Sequence, residues 1–126
     1  MIDHMTFRVA NLARTKAFYQ AALAPLGYVP AYDAVHEGVR VVGFSSSGKI
    51  DTWFIDNTLP LSGPTHICWV APSREAVRAF HAAALAAGGR DNGAPGLRAH
   101  YHPDYFGAFV LDPDGNNIEA VCHQPT

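Results

Sequence analysis

The chain has 126 residues, of which 48% are apolar, and its net charge is −2 with the histidines neutral. This composition supports a folded core, and without a Lys/Arg cluster neither nucleic acid nor an anionic membrane is an expected partner. No apolar run approaches the roughly 20 residues that cross a bilayer, the N-terminus lacks a signal-peptide pattern, and two cysteines make no disulfide framework. We therefore expect a cytoplasmic protein with a single compact domain.

The first half of the chain predicts a strand, a helix and three further strands. Apolar and polar residues alternate in the first strand, Asn11 can cap the helix, and Pro25 and Gly27 end it. The predicted strands cover 2–9, 28–34, 39–46 and 49–56. Alternation places His4, Thr6 and Arg8 on one face of the first strand. In the last strand it predicts that Ile50, Thr52 and Phe54 face a cleft, with Trp53 and Ile55 beneath a helix.

The pattern then restarts after a predicted linker, residues 57–64, which contains two prolines and a glycine. A strand over 65–70 begins near His66, Ser73 caps a second helix, and Gly88-Gly89 end it. We predict a loop over 91–96 and a short strand over 97–102. The chain closes with a hairpin whose turn is Asp112-Pro113-Asp114-Gly115.

Several landmarks of the two halves coincide in register. His4 and His66 each start a strand, and a phenylalanine follows each by fourteen residues. Gly48 aligns with Gly115 in the late hairpins, and counting four residues onward pairs Thr52 with Glu119. We interpret this as an internal duplication of a strand–helix–three-strand unit rather than as a coincidence between two short stretches.

Glu119 is an acid in an otherwise apolar strand, where it is costly to bury unless it is paired or bound to a metal. The duplication predicts that His4, His66, Thr52 and Glu119 line one cleft. Two imidazoles and a carboxylate suit a divalent metal: Fe, Zn, Ni, Co or Mn. The alternatives are that His4 is a surface residue, that His66 is a hydrogen-bonded core residue, or that the metal is structural.

Three segments resemble the vicinal oxygen chelate superfamily, the group of glyoxalase I, extradiol dioxygenases and the fosfomycin- and bleomycin-resistance proteins. They are residues 4–12 (HMTFRVANL), 66–70 (HICWV) and 109–119 (FVLDPDGNNIE), the last being the most specific. The resemblance covers nearly the whole chain. It implies an α+β fold, in which two tandem βαβββ modules form a curled mixed sheet around a metal cleft. The modules would be 1–56 and 65–126, within one domain over 1–126.

Carried over residue by residue, the family's metal ligands are His4, His66 and Glu119. Thr52 departs from the pattern, because glyoxalase I proteins place a glutamate there as ligand and general base. The resemblance implies a small metalloenzyme that chelates vicinal oxygens of an organic substrate, either a glyoxalase-like lyase or isomerase or an extradiol-dioxygenase-like enzyme. The rival is a metal-free protein that sequesters a small molecule, as bleomycin-resistance proteins do. A homodimer is expected in either case, because the curled sheets leave open edges.

Further candidate residues surround this predicted site. Arg8 could hold an anionic group of the substrate, or form a structural ion pair. Thr52 and Phe54 are candidate substrate contacts. Tyr101 and His102, in a polar and aromatic segment before the last hairpin, are candidates for proton transfer, with an exposed loop as the alternative.

Overall fold

Two four-stranded sheets, one from each half of the chain, form the fold in a computed structural model that describes residues 2–56 and 63–126. The first half contains β1 (Met5–Val9), α1 (Leu12–Leu23), β2 (Val29–His36), β3 (Val39–Ser45) and β4 (Ile50–Asp56). The second half contains β5 (His66–Val70), α2 (Arg74–Ala86), β6 (Arg90–Leu97), β7 (Phe106–Leu111) and β8 (Asn117–Cys122). Residues 57–62 of the predicted linker lie outside the described residues.

The two sheets have the same topology. Their strand orders are β1-β4-β3-β2 and β5-β8-β7-β6. In each sheet the first strand pairs in parallel with the last, and the other pairs are antiparallel. The predicted α+β class and the two tandem modules are confirmed. No helix in the described ranges is long and apolar enough to cross a membrane.

Both helices begin at the predicted caps. The Asn11 side chain accepts a hydrogen bond from the Arg14 amide at 3.0 Å, and Ser73 accepts one from the Ala76 amide at 3.1 Å. These bonds satisfy amides that would otherwise lack partners in the first helical turn.

A single apolar core joins the two modules. It lies on the sides of the sheets that face the helices, and it includes Tyr19 of α1, which is 1% exposed. The Tyr19 ring stacks on the Phe54 ring of β4, with ring centres 4.4 Å apart. The centre of the Trp69 ring of β5 lies 6.1 Å from that of Tyr19. We call the opposite side of each sheet its outer face.

The structure corrects the prediction for the segment before the last hairpin. Residues 91–96 belong to strand β6, whereas 98–105 form turns, with the Tyr101 amide bonded to the Arg98 carbonyl at 2.8 Å. Pairing with β7 holds this glycine- and proline-containing segment extended, with register shifts around Gly93 and Gly96. Tertiary pairing thus overrides the local turn propensity.

The predicted faces of β4 are also wrong. Thr52 and Phe54 are 0% and 1% exposed and face the core, whereas Trp53 lies on the outer face. Thr6 pairs with Trp53 as Cys68 pairs with Glu119, so Trp53 and not Thr52 is the structural equivalent of Glu119. The β3–β4 hairpin contains a register shift, and a shift of one residue moves every side chain to the other face.

Candidate functional site

Glu119 is buried in the middle of the C-terminal sheet with its carboxylate on the outer face. It is 2% exposed. Its Oε2 atom lies 3.1 Å from His66 Nε2, and its Oε1 atom accepts a hydrogen bond from the Tyr105 hydroxyl. Of the two histidines predicted to join Glu119, His66 lies beside it within a single chain.

The imidazole of His66 is oriented by the backbone of the neighbouring strand. Its Nδ1 atom lies 2.9 Å from the carbonyl oxygen of Asn117, which can only accept a hydrogen bond, so Nδ1 carries a proton. Nε2 is then left as the atom that faces Glu119. A histidine that ligates a metal usually donates its other ring N–H to a carbonyl or carboxylate in this way.

The facing atoms of His66 and Glu119 require a proton or a metal ion between them. If neither atom carried a proton, two lone pairs would face each other at 3.1 Å, which is repulsive. A proton on either atom or a metal ion resolves that repulsion. The pair therefore fits two ligands of a divalent metal, and a metal would compete with a proton for it.

Tyr105 holds the second oxygen of Glu119, and glycine makes its approach possible. A Cβ atom on Gly107 would lie 3.2 Å from both Glu119 Oε1 and the Tyr105 ring. Burial, followed by the Glu119 carboxylate, raises the pKa of Tyr105 well above its ordinary value. The phenol is thus protonated at neutral pH and serves as a hydrogen-bond donor.

Cys68 lies next to Glu119 on the adjacent strand. Desolvation by surrounding protein atoms, followed by the Glu119 charge, raises the pKa of the thiol to about 12. Cys68 is accordingly a neutral thiol at physiological pH rather than a thiolate nucleophile.

His4 lies apart from this cluster. It precedes β1, its side chain is 56% exposed, and its Nδ1 atom is 2.7 Å from the Asp3 carboxylate, which also pairs with Lys49. Among residues 2–56 and 63–126 no group of three His, Cys, Asp or Glu side chains is placed to hold a metal. One chain thus brings together His66 and Glu119, but not His4.

A cavity of about 450 Å³ lies where β1 begins and β5 ends. His4 and Met5 line it on one side, and Cys68, Trp69 and Val70 on the other. Since His4 lies beside the end of β5 and His66 is at its start, the two histidines occupy different ends of the boundary between modules.

The remaining predicted site residues are Arg8, Tyr101 and His102. Arg8 is exposed on β1. Tyr101 is 61% exposed and contacts the Tyr105 ring at 5.1 Å, so it reaches Glu119 only through Tyr105. His102 accepts a hydrogen bond from the Asp104 amide and packs near His123.

Sequence reasoning missed Tyr105, whose hydroxyl bonds directly to Glu119. The signal that could have found it is alternation, because Tyr105, Gly107 and Phe109 share a strand face, and Phe109 pairs with Glu119. Because strand β6 was not predicted, the residues that pack against Phe109 were not identified from the sequence either.

Comparison with known proteins agrees with this fold. The family model described as Glyoxalase/Bleomycin resistance protein/Dioxygenase superfamily matches residues 1–120. No curated protein matches the sequence. Among solved structures, a glyoxalase/bleomycin resistance protein from Albidiferax ferrireducens T118 is 29% identical with a TM-score of 0.75, over 95% of this chain and 97% of that one.

Two further structures share the fold at lower identity. Glyoxalase I from Zea mays is 18% identical with a TM-score of 0.74, and the match covers 95% of this chain but 43% of that one. A glyoxalase/bleomycin resistance protein/dioxygenase family enzyme from Burkholderia phytofirmans PsJN is 18% identical with a TM-score of 0.69, over 98% of both chains. With the family model matching nearly its whole length, the chain belongs to the glyoxalase/bleomycin resistance protein/dioxygenase superfamily.

Proposed function

We propose that this protein is a divalent-metal enzyme, in which His66 and Glu119 supply two ligands and His4 of a second copy of the chain supplies the third. The metal candidates are Fe, Zn, Ni, Co and Mn, all compatible with imidazole and carboxylate ligands. Such an ion acts as a Lewis acid on two neighbouring oxygens of a small organic substrate. The reaction would be of the glyoxalase-like or the extradiol-dioxygenase-like type.

The observation that carries this proposal is the arrangement of the His66–Glu119 pair. The Nδ1 proton of His66 is committed to Asn117, which leaves the Nε2 atom 3.1 Å from a buried carboxylate oxygen. Tyr105 bonds to the other oxygen and so leaves Oε2 as the atom available to a cation. These are the donor types and the supporting contacts that a metal site requires.

A second copy is invoked because His4 lies at the other end of the module boundary. The outer faces and strand edges also carry exposed apolar side chains: Val70 is 72% exposed, Val35 63% and Leu97 52%. Strands β1, β2, β5 and β6 are edge strands with unpaired backbone groups. A homodimer that covers these faces would bury the apolar side chains and cover the open strand edges.

The other side chains receive roles that follow from their positions. Arg8, exposed on β1 of the copy that supplies His4, would anchor an anionic part of the substrate. Tyr101 and His102 would be candidates for proton transfer, since Tyr101 adjoins Tyr105.

Elemental analysis of protein purified without a histidine tag tests the metal. We expect about one equivalent per chain in the wild type and a loss of metal in His4→Ala, His66→Ala and Glu119→Gln. His36→Ala is the matched control, because His36 is an exposed histidine outside the site. Wild-type protein that neither contains nor takes up any of the five metals contradicts the proposal.

The second candidate is a metal-free protein that sequesters a small molecule. It is favoured by an aromatic contact on the outer face of the N-terminal sheet, where the ring centres of Tyr32 and Trp53 are 5.6 Å apart. The two functions differ in their response to a chelator. Chelation lowers the melting temperature if a metal stabilises the folded state, and leaves it unchanged for a metal-free binder.

A further inference from the structure

Arg98 presents a guanidinium group held in place by the backbone of β6. Nη1 donates to the Gly96 carbonyl at 2.9 Å and Nη2 donates to the Ala94 carbonyl at 2.8 Å. The guanidinium carbon lies 5.5 Å from the centre of the Phe109 ring. Two hydrogen bonds and a cation–π contact therefore restrain a side chain that is usually mobile.

This guanidinium lies on the same sheet face as the proposed metal ligands. Phe109 pairs with Glu119 across β7 and β8, so their side chains project from the same side. The His66 ring stacks on Phe109, with ring centres 6.2 Å apart and an interplanar angle of 24°. Arg98 and His66 thus both pack against one ring.

Two glycines leave the space that Arg98 occupies. A Cβ atom on Gly93 would lie 2.9 Å from Phe109 Cδ2 and 3.2 Å from Arg98 Nη2. A Cβ atom on Gly96 would lie 3.1 Å from Arg98 Nη1. Side chains at these positions would displace the guanidinium, so the position of Arg98 depends on the composition of β6.

The charge of Arg98 is free to meet an anion. Among the described residues, the arginines that pair with acids are Arg14, Arg40 and Arg78. The carbonyls of Gly96 and Ala94 occupy two of the five N–H donors of Arg98, which leaves three. A carboxylate takes two such donors in a forked arrangement.

We propose that Arg98 forms an anion subsite beside His66 and Glu119, and that the substrate carries a carboxylate in addition to its vicinal oxygens. This inference rests on the proposed function for the placement of the vicinal oxygens at His66 and Glu119. It narrows the substrate class to compounds with an anionic group on the β6 side of the metal ligands.

Two probes that differ by one carboxylate test the subsite. Protein loaded with Zn²⁺, which is inert toward oxidation, is titrated calorimetrically with catechol and with 3,4-dihydroxybenzoate. We expect the wild type to bind the carboxylate probe about tenfold more tightly, as one charge-assisted contact allows. Arg98→Gln should lose that preference and keep its affinity for catechol.

Arg78→Gln is the matched control. Arg78 also lies over a phenylalanine of β7, at 4.8 Å from the Phe106 ring centre, but on the helix side of the sheet. It should retain the wild-type preference. Equal affinity of the wild type for both probes, or an unchanged preference in Arg98→Gln, overturns the subsite.

A metal-free measurement separates this inference from the proposed function. Benzoate is titrated into chelator-treated wild-type protein while the Nε–H resonance of Arg98, assigned by its loss in Arg98→Gln, is followed by NMR. A saturable shift supports the subsite even if Zn²⁺ and catechol fail to bind, an outcome that would refute the proposed function alone. A resonance that benzoate does not shift overturns the subsite.

Discussion

Glu119 shows how a charged residue is accommodated in an otherwise apolar strand. Burying a carboxylate without partners is strongly unfavourable, but here one oxygen faces His66 and the other accepts from Tyr105. Because Gly107 lacks a side chain, the Tyr105 ring can reach this carboxylate. The same contacts that make burial tolerable also fix the orientation of the carboxylate.

Tyr105→Phe should destabilise the metal-free protein by about 1–3 kcal/mol, because a buried carboxylate oxygen loses its donor. Urea unfolding of chelator-treated protein measures the change. Tyr101→Phe is the control, since Tyr101 is 61% exposed and should leave stability unchanged. Equal effects of the two substitutions would show that the hydrogen bond from the Tyr105 hydroxyl to Glu119 does not contribute to stability.

The raised pKa of Cys68 predicts a shifted pH profile for thiol alkylation. In the native, metal-free protein the inflection should lie near 12, against the ordinary value of 9.0 in the unfolded chain. Since the folded-state pKa is the higher one, the contribution to stability is complete below pH 9 and is lost as the pH rises through 12. Iodoacetamide kinetics with peptide mapping measure the profile. A native inflection at or below 9 would contradict the prediction.

At the scale of elements, the turn between β7 and β8 links the two modules. The Oδ1 atom of Asp112 accepts from the amides of Asp114 and Asn116, which closes the turn. Its Oδ2 atom accepts from the Tyr19 hydroxyl of α1 at 2.5 Å. The acid that makes the Asp-Pro-Asp-Gly turn is therefore also a buried contact between the halves of the chain.

Tyr19→Phe should lower the free energy of unfolding by about 1–2 kcal/mol, because it removes one buried donor from Asp112 and keeps the ring stacked on Phe54. Arg14→Gln is the matched control. It removes a partner of Asp114 in the same turn, but Arg14 is 48% exposed and surface ion pairs contribute under about 1 kcal/mol. Denaturant unfolding compares the two, and the interpretation fails if Arg14→Gln has the larger effect.

At the scale of the whole molecule, the relation between the modules decides where a metal site can form. His66 starts β5 and His4 directly precedes the equivalent strand β1, yet the two histidines lie at different ends of the boundary between the modules. In the proposed function a site that uses both would take His4 from a second chain, whereas a site within one chain would use His66 and Glu119 without His4.

Mixing two defective variants distinguishes these arrangements. His4→Ala and Glu119→Gln should each lack metal, but unfolding and refolding them together in equal amounts should restore about one quarter of the wild-type metal content. Random pairing makes half of the dimers mixed, and each mixed dimer has one intact site of two. Elemental analysis after dialysis measures this. No recovery in a refolded, dimeric mixture would contradict a shared site.

The amino-acid sequence by itself determined the modular architecture and both helix caps. These features depend on local rules, since caps, turns and the period of apolar residues are determined by residues that are close together in the sequence. The matching landmarks in the two halves were sufficient to identify the repeated unit, and both sheets have the same strand order.

Only the tertiary structure decided the faces of β4, the strand β6 and the partners of Glu119. Counting from Gly48 made Thr52 the equivalent of Glu119 in the first module. A register shift in the hairpin instead makes Trp53 the equivalent residue and buries Thr52. Pairing with β7 made a strand of a segment whose glycine and proline favour turns. Register and strand pairing arise between distant segments, so spacing along the chain does not determine them.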